Sequence, residues 1–519
     1  MKKIHILWVD DEIDLLKPHI IFLQQKGYEV STSTNGHDAI EIASRQEFDL
    51  FFLDENMPGI SGLETLNKLK EISPLTPVIM ITKSEEENIM DNAIGSKISD
   101  YLIKPVNPNQ ILLAIKKNID HKRLVTEKTN QAYQSAFTRL GMEINDSLTH
   151  QDWISVYKKL VFWELELSQS EDGGLDEILQ MQKNEANSAF AKFIKKNYAG
   201  WFGNNKEDKP ILSPSLLREK VFPLLNAGKK TFLLVIDNLR FDQWKAIQPE
   251  LNPFYRTESE DLYYSILPTA TQYSRNSLFS GLMPSEIDRL YPELWKNDED
   301  DGGKNLYEEE MLRNMLRKFN ISDNIFFEKV NDVKNIKKTQ DHLRELSKQH
   351  QLMVMIVNFV DNLSHARTDQ KMIKELANNE TAYRSITRSW FKHSPLLDLI
   401  KALSEQDINI VITTDHGTIK VQDAIKVVGE RNTTTNLRYK QGRNLKYNPR
   451  EVFEVTRPET VYLPLTNLSS TYIFATGSDF FAYHNNYNHY VKYYRDSFQH
   501  GGISLEEMLI PVILLTPRK

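Results

Sequence analysis

Short apolar runs that each end beside an acidic, hydroxyl or basic residue recur through roughly the first 119 residues. The runs are Ile4–Val9, Tyr28–Thr34, Asp49–Leu53, Pro77–Thr82 and Tyr101–Ile103, with amphipathic stretches between them. This alternation predicts a parallel sheet with crossover helices. The polar residues at the ends of the runs are Asp10, Asp11, Asp54, Thr82 and Lys104. Because ligands bind at the carboxyl edge of such a sheet, we expect these side chains to meet there.

The rest of the chain divides into a strand-free part and a second α/β part. Between Asn107 and Phe202, an apolar stripe at helical spacing predicts a helical bundle, and its residues include Trp153, Tyr157, Leu160 and Val161. The polar stretch Gly203–Pro214 is the predicted linker. Apolar runs return at Thr231–Ile236, Leu352–Phe359, Ile408–Ile412 and Leu509–Leu515. The predicted domains are a doubly wound α/β domain at 1–120, a helical bundle at 121–205 and a larger α/β domain at 206–519.

Composition limits the chemistry of these domains. The 519 residues carry a net charge of −7 and include no cysteine. Disulfides, thiolate zinc sites and thiol nucleophiles are therefore excluded, and metal ligands must come from carboxylates and the 13 histidines. Acidic residues interrupt the first apolar run, where a signal peptide would stay apolar, and no run approaches the ~20 apolar residues of a membrane span. We expect a cytoplasmic protein without a membrane span or a general attraction to nucleic acid.

The first domain contains the parts of a phosphoryl-accepting magnesium site. Its predicted Mg²⁺ ligands are Asp10, Asp11, Asp54 and the backbone carbonyl of Asn56. Lys104 supplies a second positive charge for the transferred phosphoryl group. The Thr82 hydroxyl can contact a phosphoryl oxygen, and Tyr101 can turn inward behind it, which would convert a local charge change into a distant conformational change.

These residues, with the run D-E-N-M-P-G-I-S-G-L-E from Asp54, resemble the receiver domain of two-component response regulators. The resemblance implies that Asp54 accepts a phosphoryl group from a sensor histidine kinase and that phosphorylation promotes a dimer. Lys83 departs from the pattern, because the family commonly has a small residue beside the phosphoryl group. A long side chain there would change how readily water and small phosphodonors reach that group.

Four motifs at predicted strand ends of the last domain contain metal-ligand side chains. They are L-L-V-I-D with Asp237, V-D-N-L-S-H with Asp361 and His365, T-T-D-H-G with Asp415 and His416, and Q-H-G-G with His500. Mixed carboxylate and imidazole ligands favour zinc, with manganese as the alternative. Thr271 follows a proline-led turn into a helix, where the helix dipole and a metal would make its hydroxyl a nucleophile for phosphorus. Solvated Asp-His turns and an ordinary helix cap are the alternative interpretation.

Together these motifs resemble the alkaline phosphatase superfamily, particularly its PglZ branch, over roughly residues 207–519. The resemblance implies one metal held by Asp237, Thr271, Asp415 and His416, and a second held by Asp361, His365 and His500. Thr271 fits the superfamily pattern better than Thr269, because it lies ten residues before Gly281. The order of receiver, helical bundle and PglZ domain resembles PorX-type response regulators, a family that is linked to control of type IX secretion.

Two stretches bear on the substrate. Lys426–Arg450 holds seven lysine and arginine residues against one acidic residue, interleaved with tyrosines, and would suit a phosphate backbone with its bases. The predicted substrate-binding residues are Arg438, Lys440 and Arg443 of this stretch, together with Arg275. The alternative is a solvated insertion or an interface with an acidic partner. The aromatic run Phe480–Tyr494 is interpreted either as core or as a base-stacking surface.

The sequence therefore predicts a phosphorylation-controlled, zinc-dependent enzyme that hydrolyses phosphodiesters in nucleotides or short oligonucleotides and regulates type IX secretion. The alternative is a regulator without turnover, in which zinc is structural and the chain binds a sigma factor or a membrane partner. No helix-turn-helix with a basic recognition helix is evident, so direct binding to duplex DNA is not expected.

Overall fold

The computed structural model describes residues 4–74, 76–83, 98–146, 148–168, 175–203, 209–298, 300–330, 333–377, 379–430, 433–465 and 469–518. The chain forms two compact units, Met1–Ser135 and Ala136–Lys519. Residues 204–208 of the predicted linker and Arg431 of the basic stretch lie outside the described residues. Within the described ranges, no helix combines the length and apolar character that are needed to cross a membrane.

A five-stranded parallel sheet forms the centre of the first unit. Its strands β1 to β5 are His5–Val9, Glu29–Ser33, Leu50–Asp54, Val78–Thr82 and Asp100–Ile103. They pair in the order β2-β1-β3-β4-β5, and every pairing is parallel. Alternate residues of β1 belong to two different apolar clusters, because a doubly wound sheet is covered on both faces. The doubly wound sheet predicted from the sequence is confirmed.

Helices of the first unit start where side chains can cap them. Helices α1 to α4 are Lys17–Gln25, Gly36–Arg45, Gly62–Ile72 and Pro108–Ile115. Ser61 and Glu64 form a reciprocal capping box at the start of α3. Asn107 caps α4, whose first residue is proline, a residue that costs no hydrogen bond at that position. The segments Ile13–Leu16 and Lys116–Asp120 are short 3₁₀ and π turns.

Three longer helices correspond to the predicted bundle. They are α5 (His121–Ile144), which spans the boundary between the two units, α6 (His150–Leu167) and α7 (Asp176–Asn197). Thr149 and Asp152 form a capping box at the start of α6. The apolar stripe of α6 is buried as predicted, and its residues are Trp153, Tyr157, Leu160 and Val161. A 3₁₀ turn at Tyr198–Phe202 follows α7.

The second unit is built on a six-stranded mixed sheet with three small sheets. Strands β6 to β18 are Thr231–Ile236, Tyr255–Tyr264, Phe326–Val330, Leu352–Val357, Asn409–Thr413, Ile419–Lys420, Asp423–Val427, Tyr439–Gly442, Phe453–Val455, Thr471–Phe474, Asp479–Tyr483, Phe498–Gln499 and Leu509–Pro517. The main sheet has the order β7-β18-β10-β6-β9-β8. The strands β8, β9, β6 and β10 run parallel, whereas β18 is antiparallel to both of its neighbours. Parallel neighbours bring their carboxyl ends to one edge.

The helices of this unit are numbered in chain order. Helices α8 to α21 are Leu216–Lys220, Phe222–Asn226, Phe241–Leu251, Thr271–Ser280, Pro284–Leu290, Glu308–Lys318, Val333–Asp341, Leu343–Gln349, Phe359–Asp369, Lys371–Leu376, Glu380–His393, Pro395–Glu405, Tyr487–Tyr494 and Leu505–Met508, and 3₁₀ turns lie at Ser213–Ser215 and Pro458–Val461. The four predicted apolar runs correspond to β6, β9, β10 and β18. The run from Leu352 ends as a strand at Val357, because α16 begins at Phe359.

Candidate functional site

The first group of ligand side chains lies where the neighbouring strands β6 and β10 end. Asp237 follows β6, and Asp415 and His416 follow β10. One ligand atom from each of these buried residues lies within 4.8 Å of the other two. Asp237 Oδ1 and Asp415 Oδ2 accept no hydrogen bond from any described residue. Two orphaned carboxylate oxygens beside an imidazole fit a divalent cation, because buried carboxylates otherwise require hydrogen-bond donors.

Thr271 adds a hydroxyl to this group from the start of α11. Its Oγ1 lies 3.0 Å from His416 Nε2. Thr269, two residues earlier, is fully buried and donates to the carbonyl of Gly502 at 2.9 Å, while it accepts from the N–H of Gly501 at 3.0 Å. The Thr271 hydroxyl therefore lies at the ligand group, whereas the Thr269 hydroxyl holds the loop that contains Gly501 and Gly502.

The second group combines two residues of α16 with one that follows β17. Asp361 and His365 lie one helical turn apart, with Asp361 Oδ2 3.4 Å from His365 Nε2. The other oxygen of Asp361 lies 3.8 Å from His500 Nε2. These three residues also place one ligand atom each within 4.8 Å of one another. The His365 side chain is 63% exposed, so this group faces solvent on one side.

The two groups are adjacent. The rings of His416 and His500 stack with their centroids 4.1 Å apart. Asn238 connects the groups, because it directly follows Asp237 and its Nδ2 donates to Asp361 Oδ1 at 3.3 Å. Its backbone φ is 65°, a left-handed conformation that asparagine tolerates. The sequence analysis missed Asn238, although an asparagine directly after a strand-end aspartate is a signal for such a turn.

Burial sets the protonation of these ligands. It raises the pKa of Asp237 to about 7 against the opposing charge of Arg275, and it also raises the pKa of Asp415. Burial lowers the pKa of His416, and together with the neighbouring His416 it lowers the pKa of His500 to about 4. Both imidazoles are therefore neutral near pH 7, which is the form that binds metals.

Asp361 has the opposite shift. Its burial acts to raise the pKa, but the hydrogen bond from His365 and, in the acidic range where this carboxyl titrates, the attraction of the surrounding histidines in their protonated form outweigh it and hold the pKa well below the usual range. Asp361 is thus the ligand of the second group that stays ionised most readily.

Arg275 lies at the first group, where its guanidinium pairs with protein carboxylates. Its Nη1 donates to Asp237 Oδ2 at 2.7 Å, and its Nε donates to Glu308 Oε1 at 2.8 Å. Lys329 Nζ lies 3.0 Å from the other oxygen of Glu308. The sequence analysis missed Glu308 and Lys329, because an acidic helix start and a charged strand residue give no local sign of this network. Arg275 thus lies at the first ligand group, but its charge is engaged within the protein, and its predicted role in substrate binding stays a prediction.

The predicted surface role of Arg438 and Lys440 is wrong, because both side chains are fully buried. Arg438 pairs with the equally buried Glu507 at 2.6 Å. Lys440 Nζ donates to the carbonyl of Thr434 at 2.8 Å and lies over the ring of Tyr483, and burial lowers the pKa of its amine to about 7. A cation without access to solvent cannot attract a substrate from solution.

Other residues of the basic stretch remain on the surface. Lys426, Arg443, Lys446 and Arg450 are exposed. The aromatic run divides in two, since Phe480 and Phe481 are buried whereas α20 contains no buried residue. Part of each stretch is therefore accessible, and part belongs to the interior.

The carboxyl edge of the first sheet brings together the predicted phosphoryl-accepting residues. Asp10, Asp11 and Asp54 each place one oxygen within 4.8 Å of the others. Lys104 Nζ lies 2.8 Å from Asp10 Oδ2 and 2.9 Å from Asp54 Oδ2. Burial raises the pKa of Asp54 although Lys104 opposes the shift. Asp54 Oδ1 accepts no hydrogen bond within the described part of the chain, which leaves it free for Mg²⁺ or for phosphoryl transfer.

The remaining predicted residues surround this cluster. Thr82 is buried at the end of β4, and Asn56 is exposed in the loop that follows β3. Tyr101 is 44% exposed on β5, so the inward rotation predicted for it would require a conformational change. Lys83 Nζ lies 3.0 Å from Glu12 Oε2. This ion pair joins the loop after β1 to the loop after β4.

Three family models match the chain in succession. A response regulator receiver domain matches residues 6–116, and the PorX response regulator linker domain matches residues 123–202. The BREX system PglZ alkaline phosphatase-like domain matches residues 216–515, which is more than half of the chain.

Curated relatives match about a quarter of the chain. The alginate biosynthesis transcriptional regulatory protein AlgB of Pseudomonas syringae pv. tomato is 34% identical over 119 residues, which are 23% of this chain and 27% of the relative. The uncharacterized transcriptional regulatory protein YkoG of Bacillus subtilis is 33% identical over 129 residues, or 24% of this chain and 56% of the relative. The chain thus spans between about a quarter and about half of the length of these relatives.

Two solved structures are each similar to a little over a fifth of the chain. The chemotaxis protein CheY4 of Vibrio cholerae is 28% identical, with a TM-score of 0.22, and the match covers 22% of this chain and 99% of that one. A receiver domain protein of Methanospirillum hungatei JF-1 is also 28% identical, with a TM-score of 0.23, over 23% of this chain and 96% of that one. The three family matches and their order show that the chain belongs to the PglZ alkaline phosphatase-like family, with the receiver and linker domains of a PorX-type response regulator.

Proposed function

We propose that the PglZ domain is a two-metal phosphodiesterase that acts on nucleotides or short oligonucleotides under the control of Asp54 phosphorylation. The observation that carries this proposal is the position of Thr271. Its hydroxyl lies 3.0 Å from His416, and the ring of His416 stacks on that of His500 from the neighbouring ligand group. A hydroxyl beside two adjacent ligand groups is the arrangement that two-metal phosphoryl transfer requires.

The first ion would be held by Asp237, Thr271, Asp415 and His416, and the second by Asp361, His365 and His500. Zinc suits these mixed carboxylate and imidazole ligands, with manganese as the alternative. Bound divalent ions would supply positive charge that lowers the pKa of the nearby hydroxyl and neutralises the negative charge of the phosphoryl oxygens in the transition state.

The chain itself supplies the nucleophile and its orientation. Thr271 Oγ1 attacks phosphorus, its proton is lost to solvent, and the new O–P bond forms as the bond to the leaving alkoxide breaks. Water then cleaves the Oγ1–P bond and restores the hydroxyl. Asn305 Nδ2 donates to the carbonyl of Thr271 at 3.0 Å and thereby fixes the start of α11. Neutral His416 and His500 favour this chemistry near pH 7.

The charge balance favours a diester over a monoester. A phosphate monoester carries about one more negative charge than a diester at neutral pH. The guanidinium of Arg275 is already paired with Asp237 and Glu308, so its charge is largely neutralised before substrate binds. The exposed cations Arg443, Lys446 and Arg450 remain as candidates for an extended anionic substrate, which supports nucleotides and oligonucleotides as the first substrates to test.

The receiver domain implies a sensor kinase as partner. In our proposal Mg²⁺ is held by Asp10, Asp11, Asp54 and the carbonyl of Asn56, and the phosphoryl group on Asp54 acts through Thr82 and Tyr101. Phosphorylation of Asp54 promotes self-association of the chain. Through this change the protein controls type IX secretion.

The test is metal analysis together with turnover. The purified full chain should contain about two zinc ions and should hydrolyse a chromogenic phosphodiester, with activity that a chelator removes and zinc restores. A screen of nucleotide mono- and diesters then identifies the preferred class. Two bound ions without turnover of any ester would instead indicate a regulator that binds a sigma factor or a membrane partner, with structural zinc, and would refute the proposed enzymatic function.

A further inference from the structure

The loop that carries His500 is held by a buried ion pair. The N–H of Gly502 donates to Glu507 Oε1 at 2.9 Å. The same carboxylate accepts from Arg438 Nε at 3.1 Å and from Arg438 Nη2 at 2.6 Å, and also from the Ser504 hydroxyl at 2.7 Å. Arg438 and Glu507 are both fully buried, so the charge of each is compensated by the other and not by water.

The residue that anchors the His500 loop also anchors the loop of the first ligand group. Gly417, which follows His416, donates its N–H to the backbone carbonyl of Glu507 at 3.1 Å. A Cβ at Gly417 would collide with the carbonyl oxygen of Glu506, and a Cβ at Gly502 would lie 2.6 Å from the carbonyl oxygen of Ala475 and 2.9 Å from Arg438 Nη2. The first loop therefore approaches this turn, and the second approaches Arg438, more closely than a residue with a side chain could.

Glu507 thus contacts one ligand loop through its backbone and the other through its side chain. The two contacts fix the His416 loop and the His500 loop to the same short helix, α21. The stacked rings of His416 and His500, 4.1 Å apart, lie at the ends of these two loops. Arg438 orients the carboxylate, because its donors reach both oxygens and leave Oε1 pointing at the N–H of Gly502.

We propose that Arg438 and Glu507 are positioning residues that set the spacing between the two metal-ligand groups. This inference rests on the proposed metal-dependent function. It also explains the burial of an arginine in a stretch whose composition is typical of a surface. The Arg438–Glu507 pair acts on the second group through Gly502, whereas the first group keeps its backbone contact when the side chains change.

The experiment is a cobalt(II) titration of metal-free full chain, followed by the visible absorption of bound cobalt. We expect two ions per chain in the unmodified protein. In Arg438→Met the second ion should bind roughly 10- to 100-fold more weakly, because loss of a residue that orients a metal ligand has an effect of this size, and the first should bind as before. Lys440→Met is the matched control, since it removes a buried cation nearby whose contacts with the carbonyl of Thr434 and the ring of Tyr483 involve neither ligand loop, and it should keep both ions. Arg438→Lys should recover part of the affinity.

A double variant separates positioning from stability. Arg438→Met with Glu507→Met replaces the buried pair with apolar side chains, a change that commonly restores stability. The melting temperature should recover towards that of the unmodified protein, but the second ion should remain weakly bound, because the Gly502 N–H has lost its acceptor, Glu507. Recovery of tight binding of both ions in the double variant would overturn the inference, as would two tightly bound ions in Arg438→Met. Absence of any ion from the unmodified protein would overturn the proposed function as well.

Discussion

The receiver site and the PglZ site are both carboxylate clusters at the carboxyl ends of parallel strands, and a cationic side chain pairs with each. In the receiver, Lys104 pairs with the buried Asp10 and Asp54, whereas Asp11 of the same cluster is exposed. In the PglZ domain, Arg275 pairs with Asp237 in the interior, and both side chains are 3% exposed. The same position in a sheet thus supports a cluster with one exposed carboxylate in the receiver and a fully buried first ligand group in the PglZ domain.

The difference lies in the ligands and in what surrounds them. The receiver cluster offers only oxygen atoms, which suit an exchangeable Mg²⁺, and its accessible edge allows another protein to deliver a phosphoryl group. The PglZ groups add the imidazoles of His416, His365 and His500. Burial keeps His416 and His500 neutral and ready to bind a metal. We therefore expect the receiver site to exchange its metal ion and the PglZ site to retain its metal ions.

The largest effects should come from removing one functional group at each site: the Thr271 hydroxyl in the PglZ domain and the Asp54 carboxylate in the receiver. Thr271→Val should lower diester turnover by at least about 10³-fold and leave the fold and most of the zinc in place, because it removes the attacking atom and keeps the other ligands. Asp54→Asn should abolish phosphoryl transfer to the receiver without changing the zinc content. Stopped turnover assays, phosphotransfer assays and metal analysis measure these three quantities.

Thr271→Ser is the control for the first variant. It keeps the hydroxyl and should retain most of the turnover. Full diesterase activity in the valine variant would show that Thr271 is not the nucleophile, and loss of both zinc ions would show that it is primarily a structural ligand.

The second prediction compares the two cations. Arg275→Met leaves Asp237 without its buried cation and Glu308 with Lys329 alone, which should cost about 3–5 kcal/mol of unfolding free energy in the metal-free protein. Zinc should reduce this loss, since a bound cation neutralises Asp237. Lys104→Met should cost less, because the Lys104 side chain is 12% exposed, against 3% for Arg275, and Asp11 of the same cluster is exposed. Calorimetric melts of each variant with and without zinc provide the measurement.

Two outcomes would contradict this comparison. If zinc does not reduce the destabilisation of Arg275→Met, the arginine and the metal do not share carboxylates. If Lys104→Met is the more destabilised variant, then accessibility does not determine how strongly each cluster depends on its cation.

The strand ends could be predicted from the sequence because they depend on local pattern. Asp54 and Asp237 end or directly follow a short apolar run, Asp415 follows one after two threonines, and β3, β6 and β10 are where those runs predicted strands. The sequence analysis missed the strands β7 and β8, because Tyr255–Tyr264 and Phe326–Val330 contain charged residues, which are not typical of a strand inside a sheet. Their pairing with β18 and β9 supplies the stability that their composition does not indicate.

The side-chain networks could not be predicted, because their partners are far apart in the chain. Arg438 finds Glu507 69 residues later, and Arg275 finds Glu308 33 residues later. A run of cations is usually solvated, and nothing near Arg438 or Lys440 in the sequence contradicts that expectation. Only the fold shows which of these charges are paired in the interior and which are exposed.

The smallest predicted effect concerns the rim of the receiver site, which is formed by the loops that carry Glu12 and Lys83. Lys83 and Glu12 form an ion pair at 3.0 Å between two loops that border Asp54, and both side chains are about half exposed. We expect Lys83→Ala to open this rim to water and to shorten the lifetime of phosphorylated Asp54 by less than about fivefold, because exposed ion pairs are weak. Added salt should shorten the lifetime in the unmodified protein and have little effect on the variant, since screening removes the same attraction. Glu12→Gln is the matched control. If it leaves the lifetime unchanged while Lys83→Ala alters it, Lys83 acts directly on the phosphoryl group and the ion pair is not a barrier to water.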